Sequence, residues 1–120
     1  MADRVLFIGW GKVPAGREER ALESFNDAVG LYGRFQEERR IERFDVTLLD
    51  PHAGLAGFIQ IHGTSQQLAA IRDDADFRRA MTVASLVVDD LLVINGFTGE
   101  GVAREMALYQ DVAAEMPQLA

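Results

Sequence analysis

The chain contains no cysteine. That excludes disulfides, thiolate zinc sites, iron–sulfur clusters and a cysteine nucleophile. It also suits a reducing, cytoplasmic location. Lysine is almost missing too: Lys12 stands alone, and the remaining basic residues are arginines scattered among acids, for a net charge of −7. A polyanion partner needs a positive field, so nucleic acid is not expected as a ligand. No apolar run approaches the roughly 20 residues that span a bilayer. The N-terminal MADRVLFIGWGK lacks a basic leader and reads as a first strand rather than a signal peptide. There are no internal repeats and no low-complexity segments.

What is present is a regular alternation of strand and helix patterns in 120 residues, the size of one domain, residues 1–120. RVLFIGWG (4–11) is an apolar run bounded by glycines, a strand. Residues 17–40 follow helical spacing, with Leu22, Phe25, Val29 and Tyr32 on one stripe. ERFDVTLLD (42–50) alternates apolar and polar residues, PHAGLAG (51–57) has loop composition, and GFIQIHGT (57–64) is the next strand. Thr64 and Gln67 have capping-box spacing at the start of a second helix. That helix should break at RDDAD (72–76) and restart with Asp74 as its cap. DDLLVINGF (89–97) is a fourth strand. Residues 101–116 form a last helix, with Val102, Met106, Tyr109, Ala113 and Met116 along one seam.

The order β-α-β-β-α-β-α contains the split βαβ, ferredoxin-like motif with an additional C-terminal helix. The class is α+β. Right-handed crossovers place both main helices on one face of a four-stranded antiparallel sheet ordered 4-1-3-2. Strand 1 is apolar on both sides, with Leu6, Ile8 and Trp10 against Val5 and Phe7, and strand 4 is similar. A sheet apolar on both faces is buried on both. The simplest cover for the helix-free face is a second copy, giving a homodimer joined through the sheet face, with the seam on the C-terminal helix available for further contact.

The element order, the length, the run IRDDADFRRAMTVASLVVDDLLVINGF and the C-terminal helix resemble the dimeric α/β-barrel superfamily. Its members include antibiotic-biosynthesis monooxygenase-like, EthD-like and muconolactone-isomerase-like groups. The resemblance implies two ferredoxin-like sheets closing into a barrel, and in each half a cavity between sheet and helices. It covers nearly the whole chain. The chemistries it brings with it are cofactor-free oxygenation, isomerisation and haem chemistry, and fold alone does not choose among them.

His62 follows Gln60 on alternate positions of the third strand. If Ile59, Ile61, Val46, Leu48, Leu92 and Ile94 face one layer, then Gln60, His62, Thr47 and Asn95 share the other. A few polar groups on an apolar sheet are the pattern of a small-molecule pocket. Imidazole can act as acid or base near neutral pH, so His62 and Asn95 are the catalytic candidates, with Trp10, Gln60, Thr47 and Tyr32 as substrate contacts. The same polar groups could equally satisfy one another across a dimer interface. Trp10, between Gly9 and Gly11, could be a wall for an aromatic ligand or an interface anchor. Tyr32 could be core or cavity wall. GWGKVP fails the dinucleotide fingerprint because Pro14 occupies the third glycine position. Asp73, Asp74 and Asp76 lack calcium-loop spacing and suit a helix cap. Neither cofactor nor metal is expected. A haem would have only His62 as a plausible axial ligand. Two functions remain open: an enzyme acting on a hydrophobic or aromatic small molecule, and a non-catalytic dimeric ligand-binding or interaction module.

Overall fold

The computed structural model describes residues 2–117. Four strands and four helices follow one another: β1 (Arg4–Trp10), α1 (Glu18–Glu37), β2 (Arg43–Leu48), β3 (Gly57–Gly63), α2 (Ser65–Asp73), α3 (Ala75–Val87), β4 (Leu92–Phe97) and α4 (Glu100–Glu115). The strands form one antiparallel sheet in the order β2-β3-β1-β4, the 4-1-3-2 order of a ferredoxin-like fold. The sheet of a single chain is open, with β2 and β4 as free edges. Among the described residues no helix is long and apolar enough to cross a membrane.

Local chemistry explains where the helices start and stop. The α1 helix ends in a Schellman turn: the Arg40 N–H donates to the Phe35 carbonyl and the Arg39 N–H to that of Gln36. Arg39 takes φ = 59°, where glycine would be usual. The apolar contact that normally seals such a turn is replaced by the Arg40 guanidinium, which lies over the Phe35 ring 4.4 Å from its centre. At α2 the capping box is complete. Thr64 Oγ1 accepts from the Gln67 N–H at 3.1 Å, and Gln67 Oε1 accepts from the Thr64 N–H at 2.9 Å. One residue breaks the long helical pattern, as expected: Asp74 leaves the helical region at ψ = 134° and caps α3, its Oδ1 accepting from the Phe77 N–H at 3.0 Å.

Asp74 also receives the Arg40 Nη2–H at 2.8 Å, joining the end of α1 to the start of α3. The side-chain hydrogen bond from Arg40, followed by the backbone bond from Phe77, holds the Asp74 carboxyl below its ordinary value near 3.8. A carboxyl lowered in the folded state contributes stability that is fully present above its unfolded pKa and is lost as pH falls through the folded one. Asp74→Asn keeps a capping oxygen but loses the charge. It is expected to be less stable than wild type by about 0.5–1 kcal/mol at neutral pH. In thermal unfolding that gap should close as the pH falls below the ordinary carboxyl value and then through the lowered one of folded Asp74; a gap that persists unchanged in strong acid would mean the ion pair contributes nothing.

The core lies between the sheet and α1, α2 and α3. Tyr32, Phe35, Leu6, Ile61 and Ile71 are its largest fully buried side chains. Strand register sorts every sheet residue to a side. Phe44, Ile61, Leu6 and Asn95 lie in one row, and Val46, Ile59, Ile8 and Val93 in another; both rows face the helices. The intervening rows face away: Arg43, His62, Val5 and Gly96; Asp45, Gln60, Phe7 and Ile94; Thr47, Phe58, Gly9 and Leu92. This outer face is polar over β2 and most of β3 and apolar over β1 and β4, and Phe7 of β1 stacks on Phe58 of β3 at 5.1 Å.

Helix α4 stands apart. Its main contacts are with β4 and the segment before β1, and Val102, Met106, Leu108, Tyr109 and Val112 are all exposed, as is Met116 just beyond its end. The joint that directs it is specific. Gly101 packs so closely on Asp3 that an added Cβ would lie 2.3 Å from the Asp3 carbonyl oxygen. Arg104 pairs with the Asp3 carboxylate, and Thr98 donates its N–H to the Asp3 carbonyl at 3.0 Å.

Candidate functional site

A cavity of about 360 Å³ lies between the sheet and helices α1 and α3. Small residues create it. Ala21, Ser24 and Ala28 on α1 and Ala84 on α3 leave space that larger side chains would fill. Its floor is Ile8, Ile59 and Leu91 of the sheet; Trp10, Phe25 and Met81 are further walls, and Leu22, Leu48 and Glu18 are exposed at its margin. Trp10 meets Phe25 edge-on, ring centres 5.9 Å apart. The lining is overwhelmingly apolar, with few polar groups, as small-molecule sites usually are.

Tyr32 is the exceptional wall residue. It is 0% exposed, wedged among Phe44, Phe35 and Phe77 with ring centres 5.9–6.4 Å away. Its hydroxyl is buried with no hydrogen-bond partner. An unpaired buried hydroxyl is costly. Burial also pushes the phenol pKa well above its ordinary value, so the group stays neutral and can only donate or accept a hydrogen bond.

The sheet divides the residues singled out from the sequence. Trp10 and Tyr32 line the cavity on the helix side. His62, Gln60 and Thr47 lie on the outer face. Asn95 does not share their side, contrary to the expectation from strand alternation: it is paired with Leu6 and faces the helices, where its Oδ1 accepts from Arg72 at 3.5 Å. Leu92 and Ile94, expected beside Ile59 and Ile61, are instead on the outer face with Phe7. The physical reason is register. A strand apolar on both sides gives no sign of which parity meets the helices, and a shift of one residue exchanges every side chain.

His62 has a partner that sequence reasoning missed. Only 6% exposed, it lies with Nε2 3.1 Å from Asp45 Oδ2. A carboxylate only accepts, so Nε2 carries the proton and Nδ1 is left as the potential acceptor. Asp45 is in turn paired with Arg43. The alternation of β2 already put Arg43 and Asp45 on one face with Thr47, and opposition to His62 across the ladder completes the chain of three. Ser24, Met81 and Ala84 of the cavity were also missed. Among the described residues no three acidic or histidine side chains gather as a metal site.

No protein-family profile matches the chain, and no curated protein matches it. Solved structures do. A dimeric ferredoxin-like protein of unknown function from Jannaschia sp. CCS1 is 14% identical, with a TM-score of 0.60 over 78% of this chain and 97% of that one. A conserved protein of unknown function from Bacteroides thetaiotaomicron, described as a possible oxidoreductase, is 14% identical with a TM-score of 0.61 over 80% and 98%. A dimeric protein of unknown function and ferredoxin-like fold from Bacteroides fragilis is 11% identical with a TM-score of 0.59 over 79% and 96%. At these identities the likeness is one of architecture: what the chain shares with these proteins is the ferredoxin-like fold.

Proposed function

We propose that the protein is a homodimer that takes a hydrophobic, aromatic small molecule into the cavity between its sheet and helices, as a cofactor-independent, monooxygenase-like or isomerase-like enzyme. The observation that carries this reading is the apolar cavity of drug-fragment size, with Tyr32, whose buried hydroxyl has no partner, among its lining residues. A ligand that displaced the side chains covering that hydroxyl and brought a carbonyl or hydroxyl oxygen to it would satisfy it, and the gain would exceed that of an ordinary exposed hydrogen bond. Trp10 and Phe25 suit flat rings. The dimer would form through the outer sheet face, where Leu92 and Ile94 are 40% and 50% exposed in the single chain. The unpartnered seam of α4 would add to it. The fold neighbours described as dimeric support this.

The second reading, a ligand-binding module without catalysis, has its own support. His62 and Asn95 both lie outside the lining of the cavity, which leaves Glu18 at its margin as the carboxylate nearest a bound ligand. His62, Gln60 and Thr47 then contribute polar matching between two copies, with Asp45 and Arg43 beside them.

Trp10 is the chain's only tryptophan, so its fluorescence reports the cavity directly. Titration with a dihydroxynaphthalene is expected to quench it saturably. Ala84→Phe, which puts a ring into the volume a ligand needs, should weaken that binding at least about tenfold, in line with the roughly 1–3 kcal/mol that steric crowding costs. Oxygen uptake during the same titration supports the enzyme. Saturable binding without turnover supports the module. Quenching that never saturates rejects the cavity as a ligand site.

A further inference from the structure

A second cavity, about 310 Å³, opens between α2 and the paired ends of β1 and β4. Its character is opposite to that of the first. Arg4, Arg72, Asn95 and Ser65 line it, with Asp73 the one carboxylate in its wall. Five of the other arginines of this acidic chain, Arg20, Arg34, Arg40, Arg43 and Arg104, each pair with a carboxylate, whereas Arg17, Arg39, Arg78 and Arg79 lie outside this cavity and pair with none among the described residues. Among the described residues Arg4 and Arg72 have no such partner, and Asp73 pairs with neither. The Arg4 guanidinium lies over the Phe97 ring, 4.3 Å from its centre, and its Nε is buried without a hydrogen bond. Stacking of this kind holds the planar fork in place while leaving its N–H edges available.

We propose that this cavity is an anion site, binding a carboxylate or phosphate group between the guanidinium groups of Arg4 and Arg72, with the Asn95 amide as a further donor. The two arginines outweigh Asp73, so the cavity carries one net positive charge in a chain of net charge −7. A tetrahedral or planar oxyanion accepts from two guanidinium forks at once, and such charge-assisted bonds are stronger than neutral ones. The Asn95 Oδ1 accepts from Arg72 at the limit of hydrogen-bond length, 3.5 Å, and among the described residues its amide N–H2 has no acceptor. An anion would draw both groups onto itself. This site is separate from the apolar cavity. On β1 it begins at Arg4, whereas the apolar cavity begins at Ile8, and the fully buried Leu6 lies between them.

The test is a titration of full-length protein with inorganic phosphate and, separately, with acetate, followed through the Arg Nε–Hε resonances. A saturable shift of the Arg4 and Arg72 signals is expected. It should weaken at least about tenfold in Arg72→Gln, the loss of one charge-assisted pair. Arg72→Lys should recover part of it. Quenching of Trp10 by the dihydroxynaphthalene should be unchanged in both variants, which separates this site from the other cavity. Tighter phosphate binding identifies a phosphoryl group as the natural ligand, and tighter acetate binding a carboxylate. The proposal is overturned if sodium chloride at matched ionic strength produces the same shifts, or if Arg72→Gln binds as wild type does.

Discussion

The Ile94→Asp variant is expected to sediment as a folded monomer at concentrations where the proposed homodimer of wild type forms. Ile94 faces water in the single chain, on an edge strand opposite Phe7. Its replacement therefore leaves the core between sheet and helices intact, and circular dichroism and the unfolding midpoint of the monomer should barely move. In a dimer built on the outer face the same carboxylate would be buried, and two-fold symmetry would bury it twice. Desolvating an unpaired carboxylate costs several kcal/mol. With 1.4 kcal/mol for each factor of ten, dimerisation should weaken by about a thousandfold or more. Tyr109→Asp on α4, where the ring is 70% exposed, provides the comparison. Should only Tyr109→Asp dissociate the protein, the helix and not the sheet holds the copies together. Wild-type protein that is already monomeric at high concentration would remove the homodimer altogether.

Tyr32 should show two opposite effects at one position. Tyr32→Ala is expected to cost about 3–5 kcal/mol, the usual loss when a buried aromatic is cut to a methyl group. The ring touches three other aromatic rings from α1, β2 and α3, so its removal opens the centre of the domain rather than its rim. Tyr32→Phe keeps those contacts and deletes only the unpartnered hydroxyl. It should stabilise the ligand-free protein by about 1–2 kcal/mol, the penalty of a buried unsatisfied polar group. The same change should weaken dihydroxynaphthalene binding about tenfold, since a ligand can no longer satisfy that group. Gain of stability together with loss of affinity is the signature of a residue kept for function. A Tyr32→Phe protein that is less stable than wild type would show that the hydroxyl is satisfied in solution, by water, and would remove one support for the cavity as a binding site.

Much of this architecture can be read from residues one at a time. The Thr64–Gln67 capping box, the break at Asp74 and the hairpin of β2 and β3 depend on local chemistry that a short window contains. So does the order of elements, and with right-handed crossovers it leads to the sheet order. The boundaries moved little: the first helix ends at Glu37 rather than Arg40, because Arg39 accepts a left-handed turn that glycine more often supplies. The candidate site is different in kind. Whether Asn95 joins His62 or Leu6 depends on pairing between positions 89 residues apart, Leu6 and Asn95 being opposite, and both choices satisfy the apolar pattern of β4. The cavity is a property of missing volume at Ala21, Ala28 and Ala84, which in sequence are ordinary helix residues. The orphaned Tyr32 hydroxyl is likewise invisible until every neighbour has been placed.

The central position of β1 has a consequence for how the chain reaches this state. Its partners are β3 and β4, so Arg4 waits for Gly63 and then for Phe97. Such long closures are slow to form, because the entropy of the loop is lost before the contact rewards it. Until residue 97 has been made, one side of the strand VLFIGW has no neighbour, and that segment carries no charge. An uncharged, β-prone segment with an open edge is what aggregates and what chaperones bind. The hairpin of β2 and β3, by contrast, closes over only eight intervening residues between Leu48 and Gly57. It can be formed and waiting when β1 finds its place, so the most apolar strand of the protein is both the first to be synthesised and the last to be enclosed.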